Sequence, residues 1–312
     1  SGSYQFSKII FAKLPSFEGS SFFMSQIFNQ IRYKYKINFV KVLGYEIAFI
    51  DEGDSSEVLL FIHGLGSYLK AWDRNIDILR NHFRCIAIDL PGYGKSSKQV
   101  HDGSIAFYTE FLNEFYKKIG LQKTSLVGHS MGGQIALSFA LNYPDLINKL
   151  VLIAPAGFES FSSEDLQNLK SLISPELLYN ASDKQIRNNY LVNFFQMPVE
   201  AEEMIADRIA IKEDEEFYNY CQIVSNSLFG LINDPIFIRL SEVLNPTLIF
   251  FGKNDLLIPN RMIHNSTPEE IARIGTSQIR NSILALIENC GHFLQFEKPD
   301  EFNSIVIKYF NN

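Results

Sequence analysis

Apolar and polar residues alternate across residues 38–43 and 45–50, two short runs that flank Gly44 and predict an antiparallel hairpin. Six later stretches, residues 58–62, 84–88, 124–127, 149–153, 247–251 and 283–287, are almost continuously apolar. Such runs suit strands covered on both faces, because neither side of the pleat then meets water. Between them, residues 106–119 and 132–142 carry apolar positions at helical spacing. The second stretch stops at Tyr143-Pro144, where proline removes the N–H that the next turn needs. Strand and helix therefore alternate, which predicts an α/β fold with a mostly parallel central sheet and helices on both faces.

The alternation breaks once. Residues 158–239 hold no strong strand signal, and charged and apolar residues recur there at helical spacing, as over residues 199–214. About 80 residues is too long for a structureless connection in a packed domain. The stretch is expected to fold as a helical cap inserted into a core formed by residues 37–157 and 240–312. Within it, Glu213-Asp214-Glu215-Glu216 reads as a solvated helix face rather than a metal site, since no His or further carboxylate stands at ligand spacing. Residues 1–36 form an arm rich in aromatics and Ile, with Arg32, Lys34 and Lys36 near its end. It is expected to pack on the body as a helical segment. Peripheral membrane contact is the alternative, opposed by the lack of a sustained apolar face. Ser1-Gly2-Ser3 reads as a tag remnant or a processed end, so any upstream targeting segment would not be seen in this sequence.

Composition narrows the function. A formal net charge of -7 disfavours a phosphate-backbone partner, so no nucleic acid is expected. No apolar run approaches the roughly 20 residues needed to span a bilayer. Cys85, Cys221 and Cys290 are an odd number without paired spacing, which indicates neither a disulfide framework nor a zinc site. A reducing, cytoplasmic setting is expected, with membrane association at most through the arm.

The chemistry centres on Gly128-His129-Ser130-Met131-Gly132-Gly133, which follows a buried strand and opens a helix. A serine on so tight a turn is held in a strained backbone conformation, and only glycines leave room for the neighbouring chain. A hydroxyl is a weak nucleophile at neutral pH. It needs an imidazole to take its proton and a carboxylate to fix the imidazole tautomer. Asp255 and His292 each follow the carboxyl end of a strand, in the chain order serine, acid, histidine. His63-Gly64-Leu65-Gly66 follows the strand at residues 58–62 and suits an oxyanion loop, with the backbone N–H groups of Leu65 and Met131 as donors. His63 is expected to shape that loop, His129 to position or pack, and Trp72 to pack a helix start. The 27 Phe and 14 Tyr include several in the cap, so Phe158, Phe161, Phe194, Phe195, Met197, Phe217, Phe229 and, outside it, Phe293 are candidates for an apolar slot over Ser130.

These motifs, with Asp89-Leu90-Pro91-Gly92-Tyr93-Gly94-Lys95-Ser96, resemble the α/β-hydrolase fold family over residues 38–311. Gly128 to Gly133, Ala154-Pro155-Ala156-Gly157-Phe158 and Glu288-Asn289-Cys290-Gly291-His292 are most similar to monoacylglycerol-lipase-like and bacterial family V esterases. The resemblance implies a serine hydrolase that needs no cofactor or metal and cleaves small apolar carboxylic esters under a helical cap. Members often carry a membrane-associated N-terminal segment, which this chain lacks in clear form. Dehalogenases and most epoxide hydrolases place an aspartate where Ser130 stands. Carbon–carbon hydrolases of aromatic ring-cleavage products are the alternative, since Gly291-His292-Phe293-Leu294-Gln295-Phe296-Glu297 resembles their tail. They usually carry Asn before the serine and Trp after the histidine, where this chain has His129 and Phe293. A non-catalytic binder of small apolar ligands on the same fold is the reading from another class.

Overall fold

The computed structural model describes residues 27–311, except Pro235 and the side chains of residues 170–172. Most of the arm expected at residues 1–36 thus lies outside the described residues. Eight strands form one sheet: β1 (Asn38–Val42), β2 (Tyr45–Glu52), β3 (Val58–Ile62), β4 (Arg84–Ile88), β5 (Thr124–His129), β6 (Ile147–Ile153), β7 (Thr247–Gly252) and β8 (Ser282–Ile287). Their spatial order is β1-β2-β4-β3-β5-β6-β7-β8. β2 runs antiparallel to both β1 and β4, and every other pairing is parallel. The strands β3, β5 and β7 are buried at every position, including the polar Thr124, Ser125 and His129 of β5. β8 departs from the expectation of burial on both faces: Ile283 is 57% exposed because this strand closes the edge of the sheet.

The helices are α1 (Ile27–Gln30), α2 (Asp73–Leu79), α3 (Ile105–Ile119), α4 (Met131–Asn142), α5 (Ser163–Leu172), α6 (Pro175–Tyr179), α7 (Asp183–Leu191), α8 (Ala201–Ala210), α9 (Phe217–Asn233), α10 (Pro268–Gln278), α11 (Leu294–Glu297) and α12 (Pro299–Asn311). Flanking the sheet, α3 packs on α4 and α2 packs on α12. α3 starts where Ser104 accepts from the Phe107 N–H and ends at Gly120, whose φ of 72° closes the helix in the left-handed region. Trp72 is fully buried against Phe61, with ring centroids 5.1 Å apart.

Helices α5 to α9 fill the stretch between β6 and β7, where the sequence predicts the insertion. Ser162 with Asp165 and Ser182 with Gln185 form capping boxes that start α5 and α7. Asp214 corrects the solvated reading of the acidic run: it is buried in the turn before α9, where Oδ1 accepts from Glu216 N and Oδ2 from Phe28 N. That last bond fastens the N-terminal segment to the insertion. The same segment reaches the core through Tyr33, whose hydroxyl donates to Asp89 Oδ2, and Tyr35, whose hydroxyl donates to Asp77 Oδ1. The helix of this segment among the described residues is α1, and Phe28 on it is buried. Among the described residues, no helix is long and apolar enough to cross a membrane.

Candidate active site

Ser130 sits between β5 and α4 with φ 53° and ψ -116°, a left-handed φ that a non-glycine residue adopts only under constraint. The constraint is close backbone approach. A Cβ on Gly132 would lie 2.1 Å from the Ile62 carbonyl oxygen, and one on Gly128 would lie 2.4 Å from that of Gly132. The turn is tied down by Ser130 N donating to Ile153 O at 2.9 Å and by Ala156 N donating to Ser130 O at 3.0 Å. Met131 is the first residue of α4, so its N–H has no partner within the helix. The loop after β3 lies against the elbow: a Cβ on Gly64 would come within 3.2 Å of Ser130 Cβ, and Leu65 follows it.

Asp255 and His292 come together from the ends of β7 and β8. Asp255 is fully buried; its Oδ1 accepts from Leu257 N at 2.7 Å and Ile258 N at 3.0 Å, and its Oδ2 lies 2.8 Å from His292 Nδ1. A carboxylate oxygen accepts, so Nδ1 carries the proton and Nε2 of the neutral ring keeps its lone pair. His292 and Ser130 line the same cavity, with no hydrogen bond joining the two side chains among the described residues. Such contacts often tighten only when substrate is bound.

The two other histidines near the elbow have distinct jobs. His63 Nε2 accepts from Leu90 N at 3.1 Å, which leaves Nδ1–H to donate to Gly64 O at 2.8 Å. Burial holds its pKa down to about 4, so the ring is neutral and shapes the loop. His129 Nε2–H donates to the His292 carbonyl at 3.1 Å, and its ring lies 4.8 Å from those of His292 and Phe293. Burial, with the nearby His292, holds its pKa well below the usual value.

A third support was invisible as a motif. The cap strand of chain at Asn193 to Gln196 grips both flanks of His292. Phe293 N donates to Asn193 O at 2.9 Å, while Glu297 accepts from Gly291 N at 2.8 Å, Phe195 N at 3.1 Å and Gln196 N at 2.6 Å. Gly291 is required there, because a Cβ would fall 2.6 Å from Asn193 O.

The cavity holds about 400 Å³ and is bounded by Gly64 to Ser67, Ser130, His292 and the cap. Of the expected slot residues it brings in Phe161, Phe194 and Phe293. The others stand elsewhere. Phe158 turns beneath the site after Gly157, φ 92°, and stacks on Phe251 at 6.1 Å, buried against Gly275. Phe195 is 52% exposed, since its backbone rather than its ring faces Glu297. Met197 and Phe217 pack on the core. Phe229 misses by rotation: Val224, Leu228, Leu231 and Ile232 form the wall face of α9, and Phe229 lies about 100° around from Leu228. The polar wall residues Arg208 and Glu159 carried no sequence signal.

Arg208 ends α8 with its guanidinium 4.9 Å from the ring centroids of Phe217 and Tyr220. Its Nη1 is buried without a hydrogen-bond partner. The neighbouring Asp207 is committed elsewhere, accepting from Tyr68 Oη and Lys70 Nζ at 2.6 Å each. Glu159, its side chain 6% exposed, accepts from Asn260 N at 2.6 Å. Burial pushes its carboxyl up to about 7; the Asn260 bond opposes that and the Asp255 charge adds to it.

A sequence profile described as the alpha/beta hydrolase fold matches residues 57–299. The 2-hydroxy-6-oxononadienedioate/2-hydroxy-6-oxononatrienedioate hydrolase of Burkholderia vietnamiensis is 28% identical over 282 residues, covering 84% of this chain and 90% of its own. Among solved structures, a probable hydrolytic enzyme of Pseudomonas aeruginosa superposes with a TM-score of 0.77 at 21% identity, covering 89% of this chain and 95% of its own. A putative lipase of Acinetobacter baumannii gives 0.73 at 23% identity, covering 95% and 98%. With the sheet order, the strained serine between β5 and α4, and the match across residues 57–299, the chain is a hydrolase belonging to the α/β-hydrolase fold family.

Proposed function

We propose that the chain is a serine hydrolase that cleaves the carbon–carbon bond next to a ketone in a conjugated enol acid. The observation that carries this reading is Arg208. A guanidinium cannot shed its proton; Arg208 is half-buried and stacked on Phe217 and Tyr220, but its Nη1 is buried in the cavity wall with no hydrogen-bond partner, and such a donor is costly until an acceptor meets it. A substrate carboxylate is such an acceptor and binds a guanidinium in a fixed, forked geometry. The Burkholderia relative is named for a dioate, which agrees in chemistry.

In this reading Ser130 Oγ attacks the ketone carbon while His292 Nε2 takes its proton, with Asp255 stabilising the imidazolium. The Leu65 and Met131 N–H groups hold the oxyanion. For cleavage the dienol must first ketonise, its enol proton moving to the carbon beside the ketone; the carbon–carbon bond then breaks, its electron pair passes through the remaining double bond into the new 2-keto group as a dienolate, and His292 returns the proton to that oxygen. Water, deprotonated by His292, cleaves the acyl-serine and regenerates the hydroxyl. An alcohol could leave in the same way, so ester cleavage is the second reading. It is favoured by the apolar wall and by His129 and Phe293, where ring-cleavage hydrolases usually have Asn and Trp.

Turnover of 2-hydroxy-6-oxo-dienoates, followed by loss of their visible absorbance, is the test, with p-nitrophenyl butyrate alongside. Arg208→Met is expected to raise KM for the dienoate by about ten- to a hundredfold, the loss of one charge-assisted contact of ~1.5–3 kcal/mol, and to leave the butyrate ester within about threefold. Rapid ester cleavage with no dienoate turnover would replace this reading with the second.

A further inference from the structure

The two charged residues of the cavity stand on opposite sides of Ser130. Arg208 is on the side of the β3 loop: with Tyr220 it also faces Gly66, Ser67 and Tyr68, and the Tyr220 hydroxyl donates to Gly66 O at 3.3 Å. Glu159 is on the other side, six residues beyond β6, held by the Asn260 N–H of the loop that carries Asp255. The order β3-β5-β6-β7 places Ser130, at the end of β5, between them. A substrate whose carboxylate meets Arg208 and whose ketone meets Ser130 therefore extends its acyl half toward Glu159, Phe161, Leu257 and Ile258.

We propose that Glu159 is a specificity-determining residue of the acyl end, where it excludes a second carboxylate and admits an uncharged group, so that the substrate is a monoacid. The inference rests on the functional reading above for the direction in which the substrate lies. Two carboxylates in one desolvated pocket repel strongly, while an uncharged acyl group gains from the apolar residues around it. Among the described residues no Lys or Arg pairs with Glu159, and the one side chain within ion-pair reach is His264. His264 Nε2 is 3.5 Å from Glu159 Oε1 and makes no hydrogen bond, and the other groups facing it are Asp255 and His292. Asp165 in turn faces His264. Burial raises the Glu159 carboxyl to about 7, so exclusion strengthens as the pH rises through that value and the carboxyl ionises.

Two matched pairs test the proposal: 2-hydroxy-6-oxo-dienoates ending in an alkyl group or in a carboxylate, and p-nitrophenyl butyrate against mono-p-nitrophenyl succinate. The native enzyme is expected to prefer the uncharged member of each pair by about thirtyfold or more in kcat/KM, equivalent to ~2 kcal/mol. Glu159→Gln, which retains an oxygen for Asn260, is expected to reduce the preference to about threefold or less, equivalent to ~0.6 kcal/mol. In the native enzyme, the preference should be several times larger at about pH 8.5 than at about pH 6, since the added carboxylates stay ionised throughout. The comparison within a pair removes any pH dependence common to both members. A purely structural Glu159 would move stability and both members of a pair together. Equal rates within both pairs in the native enzyme, or a preference untouched by Glu159→Gln and by pH, would overturn the proposal. If neither dienoate is cleaved while the esters show the preference and its loss, the role of Glu159 stands and the carbon–carbon reading fails. If both dienoates are cleaved equally well, the reverse holds.

Discussion

The strand ends and the cap wall face each other across one cavity, yet they are built by different rules. On the strand side, Ser130, Asp255 and His292 are held by backbone: Gly132 against Ile62 O, Asp255 between two N–H groups, Gly291 against Asn193 O. On the cap side, Arg208 and the apolar face of α9 are held by side-chain packing on helices. Backbone constraints tolerate few residue types and leave motifs, whereas packing constraints tolerate many and leave none. The reaction is therefore expected to be robust and its substrate range malleable.

The sharpest way to break this comparison is Ser130→Ala. It is expected to lower kcat by on the order of 10^4–10^6 with the melting temperature kept or raised, because the machinery acts as a unit while the side chain adds little packing. A single-turnover assay beside a thermal melt checks both, and residual activity within about tenfold would remove the serine from the chemistry.

Acid should separate the two regions next. His63 is buried and neutral with its pKa lowered from 6.5 to about 4. The unfolded chain takes up that proton first, so stability is fully present above about 6.5 and falls as the pH drops toward 4. The loss is on the order of 3 kcal/mol from this group. Melts between these pH values should show the decline, and a flat profile would contradict the neutral ring beneath the β3 loop.

The smallest effect is the most local. Leu228→Ala is expected to change kcat/KM across acyl chain lengths by about three- to tenfold, while Phe229→Ala, one position around the helix, changes it by less than about twofold. Equal effects would mean that α9 presents a different face to substrate.

The same contrast explains what could be read from sequence. Six strands announced themselves as apolar runs; five of them lie inside the sheet, covered on both faces, and β8 misled, its apolar run lying at an edge. The elbow and the two loop residues were legible through glycine spacing and chain order. Phe158 was misplaced because apolarity does not say which way a chain turns after Gly157. Glu159 and Arg208 could not be found at all: their significance arises only when Asn260, about a hundred residues away, reaches one, and when Asp207 is taken by Lys70 and the buried Nη1 of the other is left without a hydrogen bond.

Phe28, Tyr33 and Tyr35 anchor one short length of chain to Asp214, Asp89 and Asp77 in turn, one anchor on the cap and two on the body. A lid joined to its box only through its own chain connections can swing; one also buckled along its front must first be unclasped. Removing that buckle, remote from the chemistry, is expected to loosen the cap over the serine.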